Sequence, residues 1–328
     1  MQRLRVSAPL VPAGLAPVPA LAGMQSALAP AGEDASRLFD IALLMFIGGG
    51  LIFVAVMALA GIALFGPQRL RAALGRRVWV VGGGILFPAV ALCALLVYTL
   101  LAAAPSQARP ALRVEVTGEL WWWRIKYLDP EGRLLMETAN EIRIPVGAPV
   151  EVLLRSDNVI HSFWVPNLAG KIDLIPGHVN RQHIRARTAG VYRGQCAEYC
   201  GAQHAQMALY VIALEPAAYR AWLDGQMRPA SQPDSAFLRQ GRQLFIDNRC
   251  AQCHTIRGTS AAGGLGPDLT HVGSRLSIAG GILQQNPGTI AGWIADTQRI
   301  KPGSRMPAYA GFDPQELRAL SAYLASLR

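Results

Sequence analysis

Residues 195–207 read Gln195-Cys196-Ala197-Glu198-Tyr199-Cys200-Gly201-Ala202-Gln203-His204-Ala205-Gln206-Met207. The run places two thiols, an imidazole and a thioether at the spacing C-x-E-x-C-x3-H-x2-M. Thiolate and imidazole ligands with a weak thioether suit copper tuned for electron transfer. Two thiolates exceed what one blue-copper ion uses. Two bridging sulfurs could hold two coppers and share one electron between them, which keeps reorganisation small. A second loop, Asn158-Val-Ile-His161-Ser-Phe-Trp164, supplies a further imidazole. Taken singly, each element has a plainer reading. Cys196 and Cys200 could form a disulfide, Met207 could be core, and His161 could be a satisfied polar residue.

Around these loops, residues 111–215 read as an all-β domain. Short strand-forming runs lie at Leu112 to Val116, Glu141 to Ile144, Val150 to Leu154, His183 to Arg187, Val191 to Arg193 and Leu209 to Leu214. Gly and Pro punctuate them at 130–132, 145–149, 166–170, 176–177 and 190. Regular short strands over a segment of this length predict a sandwich.

Upstream, residues 41–65 and 78–104 contain no charged side chain. At about 1.5 Å per residue each is long enough to cross an apolar layer of about 30 Å. Glycine triplets at 48–50 and 82–84 fit close helix contact in lipid, and Pro88 should kink the second span. The link 66–77 carries Arg69, Arg71, Arg76 and Arg77 and no acid. Positive charge stays on the cytoplasmic side, so everything after residue 105 is expected outside. Cys93, within the second span, reads as an inert small hydrophobe. Arg3 and Arg5 precede a leader with Ala27-Leu28-Ala29, the pattern of a cleaved secretory signal. Prolines 9, 12, 17 and 19 leave a disordered leader as the other reading.

Downstream, residues 226–235 are polar and proline-bearing, as in a linker. Cys250-Ala-Gln-Cys253-His254 then has the covalent haem spacing: two thiols for the vinyl groups and an axial imidazole. Alone, such a motif also serves zinc or redox sites. A helix pattern over Phe237 to Asn248 leads into it. About fifty residues on, Gly303-Ser-Arg-Met306-Pro307 fits a distal methionine, and Met/His ligation raises the potential of haem. His271 reads as a structural donor. The expected division is a leader at 1–37, a helical hairpin at 38–104, a copper domain at 105–225, a linker at 226–235 and a haem domain at 236–328.

The balance of 31 Lys and Arg against 21 Asp and Glu gives a formal net charge of +10. No basic run has interleaved aromatics, so nucleic acid is not an expected partner. The charge reads as membrane topology plus a partner surface.

These motifs together resemble subunit II of the haem-copper oxidases, over about residues 38–225. The segment 236–328 is similar to a small class I cytochrome c, with Gly266-Pro267-Asp268-Leu269 and a final helix from Pro314 to Leu327. A subunit II with a fused cytochrome c resembles the caa-type cytochrome c oxidases. The resemblance implies a two-helix transmembrane hairpin, a cupredoxin-like β-sandwich and an all-α cytochrome c domain. It implies that Cys196 and Cys200 bridge two copper ions, that His161 and His204 are terminal ligands, and that Met207 and the Glu198 carbonyl are weak ones. The Glu198 side chain would reach a magnesium ion at the interface with subunit I. Cys250, Cys253, His254 and Met306 would hold one covalent haem c. Trp121, in Gly118-Glu-Leu-Trp121-Trp122-Trp123, would admit electrons, and no residue of this chain would be catalytic.

The implied partners are subunit I, subunit III, a donor cytochrome c and membrane lipid, at an inner or plasma membrane with both redox domains outside. The equivalent subunit of a copper-dependent nitric oxide reductase is the alternative, since the terminal acceptor leaves no mark here. Quinol oxidase subunits lack the copper ligands, and a copper-delivery protein would need no covalent haem. The chain departs from the family at two points. Arg76-Arg77-Val78-Trp79 stands where a glutamate often opens the second helix, so that proton route does not transfer. His178, not arginine, follows Pro176-Gly177.

Overall fold

The computed structural model describes residues 23–102 and 109–328. Most of the expected leader, residues 1–22, lies outside the described residues. Its last part, with Ala27-Leu28-Ala29, lies against the sandwich: Asn167 donates its amide to the carbonyls of Gly23 and Ala29.

Helix α1, Glu33–Phe65, is longer than the uncharged stretch and starts in the polar residues before it. Glu33 and Asp34 in its first turn complement the positive end of the helix. That turn is seated on the β domain through the Ala35 N–H to Leu168 carbonyl bond, so the helix enters at a fixed angle. The basic link forms α2, Gln68–Leu74. The second apolar segment runs from α3, Arg77–Val81, through a widened turn at Gly82–Leu86 into α4, Phe87–Ala102. Within the widened turn the Phe87 N–H reaches back five residues to the Gly82 carbonyl. Pro88, which has no N–H to give, follows directly. The local winding thus absorbs the missing donor, and the helix is not broken. Both helices are long and apolar enough to cross a membrane.

The β domain is two five-stranded sheets face to face. One has the order β3-β2-β1-β5-β8, where β1 is Leu112–Glu119, β2 Trp122–Leu128, β3 Leu134–Ala139, β5 Val150–Ser156 and β8 Asn180–Ile184. The other has the order β4-β10-β9-β6-β7, where β4 is Glu141–Pro145, β6 His161–Trp164, β7 Ile172–Leu174, β9 Gly190–Cys196 and β10 Ala208–Leu214. Strand alternation fills the space between: Trp123, Ile125 and Tyr127 of β2 are fully buried while their neighbours face outward. The cupredoxin-like sandwich is closed below by α5, Pro216–Gln226, through Tyr219 and Trp222.

The third part is helical. Helix α6, Ala236–Asp247, crosses α9, Pro314–Ser326, at very close range. A Cβ on Gly241 would stand 2.1 Å from the Ala319 carbonyl oxygen, so only glycine permits this crossing. Helix α7, Pro287–Ala295, packs on the same core of Phe245, Ile290, Ile294, Leu320 and Leu324. The short α8, Thr297–Ile300, opens the Met306 loop. The preceding linker is fastened down: Arg257 donates to the carbonyls of Gln226 and Met227, and His271 Nε2 meets that of Arg228 at 3.0 Å.

Candidate metal and haem centres

Strand pairing assembles the first centre. Strands β9 and β10 are antiparallel neighbours, with Gln195 opposite Ala208, so residues 196–207 form a loop closed at both ends. The Cys196 N–H to Met207 carbonyl bond, 2.9 Å, seals it. Strand β6 lies beside β9, and Phe163 pairs with Cys196, which sets His161 at the mouth of the same loop. The ligand atoms of His161, Cys196 and Cys200 all lie within 4.8 Å of one another. His204 Nδ1 is 3.6 Å and Met207 Sδ 3.9 Å from Cys200 Sγ. The two cysteine sulfurs are 3.7 Å apart and both are free, well beyond the roughly 2.05 Å of a disulfide.

The cluster is almost wholly buried; His161 has no solvent exposure. The hydrogen bond from Cys200 holds the Cys196 thiol well below the ordinary thiol range against the effect of burial, and His161 adds to it. The same bond, with burial, pushes Cys200 up. Cys196 Sγ also faces the Glu198 carbonyl oxygen at 3.1 Å. Two sulfurs, a thioether, a carbonyl and two imidazole nitrogens thus converge. Soft and imidazole donors in this arrangement fit copper.

Two groups hold His161. Asn158 Oδ1 faces its Nε2 at 2.9 Å, which leaves Nδ1 aimed at Cys196 Sγ, 3.8 Å away. Gly118 of the opposite sheet lies flat against the ring; a Cβ there would stand 2.6 Å from Cδ2. Glu198 is exposed, and its carboxylate accepts from the Tyr199 N–H. His178 is exposed in a turn outside the cluster.

In the helical part, Cys250, Cys253, His254 and Met306 line one cavity of about 580 Å³, within the range of cofactor pockets. His254 Nδ1 donates to the Pro267 carbonyl at 2.8 Å, so Nε2 carries the free lone pair. Burial holds this imidazole below its ordinary pKa, in the neutral form a ligand needs. Gly266 leaves room for the ring; a Cβ there would be 2.6 Å from Cε1. Arg275 lines the cavity and is half-buried, and its Nε is buried and unpartnered. That unused donor fits an anionic edge such as the propionates of haem. The residues present therefore fit a haem.

The cavity also touches the sandwich. Trp121 and Trp122 line it beside the haem-motif residues. The Trp121 Nε1–H donates to the Cys200 carbonyl at 2.9 Å. The benzene edge of the same indole is 3.4 Å from where a Cβ on Gly303 would be, in the loop that carries Met306. Of the three tryptophans, Trp123 is core and Trp121 and Trp122 are part-exposed. Asn158, the Pro267 carbonyl and Lys301, which bridges the two domains, have no role readable from the sequence. Of the three, only Asn158 has a cue in the sequence, its place three residues before His161.

Residues 125–214 match the family of the cytochrome c oxidase subunit II periplasmic domain, and 238–328 match the cytochrome c family. The chain carries both domains, and the arrangement fits a subunit II with a fused cytochrome c domain. The first domain implies copper and the second haem. Relatives named cytochrome c oxidase subunit 2 occur in Alkalihalophilus pseudofirmus, 41% identical over 66% of this chain and 61% of the relative, and in Bacillus subtilis, 30% identical over 68% and 64%. The chain thus spans less than two thirds of their lengths. The crystal structure of the periplasmic domain of subunit II of cytochrome oxidase from Bradyrhizobium japonicum is 28% identical over 37% of this chain and 96% of that one, with a TM-score of 0.34.

Proposed function

We propose that the chain is the electron-accepting subunit II of a cytochrome c oxidase, a non-catalytic member of that enzyme. In this reading one covalent haem c and a dinuclear copper centre supply one-electron chemistry, between a donor cytochrome and a subunit I that reduces oxygen to water. Cys250 and Cys253 would attach the haem, and His254 and Met306 would ligate it. Cys196 and Cys200 would hold the coppers, with His161, His204, Met207 and the Glu198 carbonyl completing the set. The exposed Glu198 carboxylate is free to meet magnesium at the subunit I face. The domains follow the division at 37, 104, 225 and 235, with 38–104 crossing an inner or plasma membrane twice. The basic link 66–77 puts both redox domains on the outer side, against lipid, subunit I and subunit III.

One observation carries the relay: the Trp121 indole is hydrogen-bonded to the Cys200 carbonyl and also lines the cavity of Cys250, His254 and Met306. The test is Cys196→Ser in the purified membrane complex. Covalent haem should remain on denaturing gels while the mixed-valence copper resonance disappears. An unchanged resonance would refute the ligand set. Oxygen uptake by the parent complex supports the oxidase; uptake of nitric oxide alone would move the chain to the reductase.

A further inference from the structure

The side chain of Lys301 runs from the haem domain across the seam into the sandwich and is only 2% exposed. Its ammonium donates to three backbone carbonyls, those of Trp121 and Gln206 at 2.8 Å each and of Ala279 at 2.9 Å. Three N–H groups thus meet three acceptors, the full capacity of a lysine. A buried ammonium is costly unless its donors are used, so this seat is satisfied only while the two domains are together.

The acceptors matter by position. Trp121 is the residue whose indole meets the Cys200 carbonyl, and Gln206 is the residue before Met207. The seat itself is shaped for the cation. Gly280 has φ +77°, and a Cβ there would be 2.4 Å from Nζ and 2.9 Å from the Trp121 carbonyl oxygen. Independent bonds flank it: Gln203 Nε2 donates to the Pro302 carbonyl at 2.8 Å, the Ala208 N–H to the Gly280 carbonyl at 2.8 Å, and the Leu276 N–H to Glu141 at 2.8 Å.

We infer that Lys301 is a positioning residue for electron transfer between the two centres. It fixes Trp121 and the Met207 end of the copper loop in register with the haem cavity. The inference rests on the relay reading above. Lys301 also lines the haem cavity, but its ammonium is committed to three backbone carbonyls, and it acts through the backbone of Trp121 and of the copper loop.

The test uses the whole purified complex with Lys301→Met, which keeps the length of the side chain and removes the cation. Covalent haem, the copper resonance and haem reduction by a small-molecule reductant should match the parent. The first-order haem-to-copper step after photochemical injection of one electron should slow by about tenfold or more, the scale of a modest coupling free energy. A rate within about twofold of the parent overturns the inference. If the parent itself shows no such step, the relay reading fails instead. Should Lys301→Met lose either cofactor, Gly280→Ala decides, because it keeps the lysine and fills its seat. Slowed transfer there supports the role of Lys301, and parental transfer overturns it.

Discussion

His161 Nε2 and Asn158 Oδ1 are 2.9 Å apart, and this contact fixes which edge of the imidazole meets the sulfurs. An amide oxygen accepts only, so Nε2 carries the proton and Nδ1 presents its lone pair to the cluster.

Asn158→Ala should therefore leave the fold intact and weaken copper retention by about 10–100-fold, the usual cost of losing an outer-shell partner. Competition with a copper chelator, followed by metal analysis, measures it. Retention equal to the parent would show that packing alone holds the ring.

Gly118 and Gly266 lie flat against His161 and His254, with 2.6 Å left for any added carbon. Gly118→Ala should cost copper and spare haem. Gly266→Ala should shift the haem spectrum and spare the copper resonance. Each lesion is confined because backbone atoms of different domains set the two clearances. Optical and paramagnetic spectra of the two variants, taken side by side, report both centres.

Trp121→Ala removes the indole that bridges Cys200 and the Gly303 loop. Haem reduction should be unaffected and copper reduction slowed, with copper content unchanged. Normal rates would transfer the role to Trp122, which lines the same cavity.

Met306→Ala should lower the potential of the haem, because Met/His ligation raises it. The haem should stay attached, since Cys250 and Cys253, its proposed anchors, are untouched. Redox titration of the complex decides; an unmoved potential would mean that another group is the distal ligand.

Glu151 gives a pH prediction. Burial alone would raise its carboxyl, but hydrogen bonds from Arg113 at 2.7 Å and Arg181 at 3.0 Å hold it below the ordinary value. The folded state thus binds the proton less readily than the unfolded chain. The stabilisation is complete above the unfolded-state value of about 4.3 and is lost as the pH falls through the lower folded one. Thermal midpoints of the parent should drop on acidification below that value, and those of Glu151→Gln should drop less.

The two candidate clusters were legible because most of their chemistry lies in short runs, 195–207 and 250–254. The two long apolar helices were legible from the absence of charge. The strands were read unevenly. Strand β2 alternates cleanly, yet it was not among the expected runs, because Arg124 and Lys126 interrupt its apolar residues. Strand β3, Leu-Leu-Met-Glu-Thr-Ala, has residues that favour helix, and tertiary pairing overrides them. Strand β8 begins and ends three residues before the expected His183 to Arg187 run. Ala186 and Arg187 turn away to bond Gly32 and Ala31 before α1. Lys301 reads as a surface cation because its carbonyl partners are 180, 95 and 22 residues away.

The fastened linker carries a consequence for traffic. Arg257 and His271 leave Gln226 to Arg228 no slack with which to swing the helical domain aside. Trp121 and Trp122 of the sandwich, part-exposed, then stay against a part of the same polypeptide. In the proposed relay a visiting reductant would therefore meet the haem domain first, and whatever sets the docking preference of that domain would set the supply of electrons to the copper site.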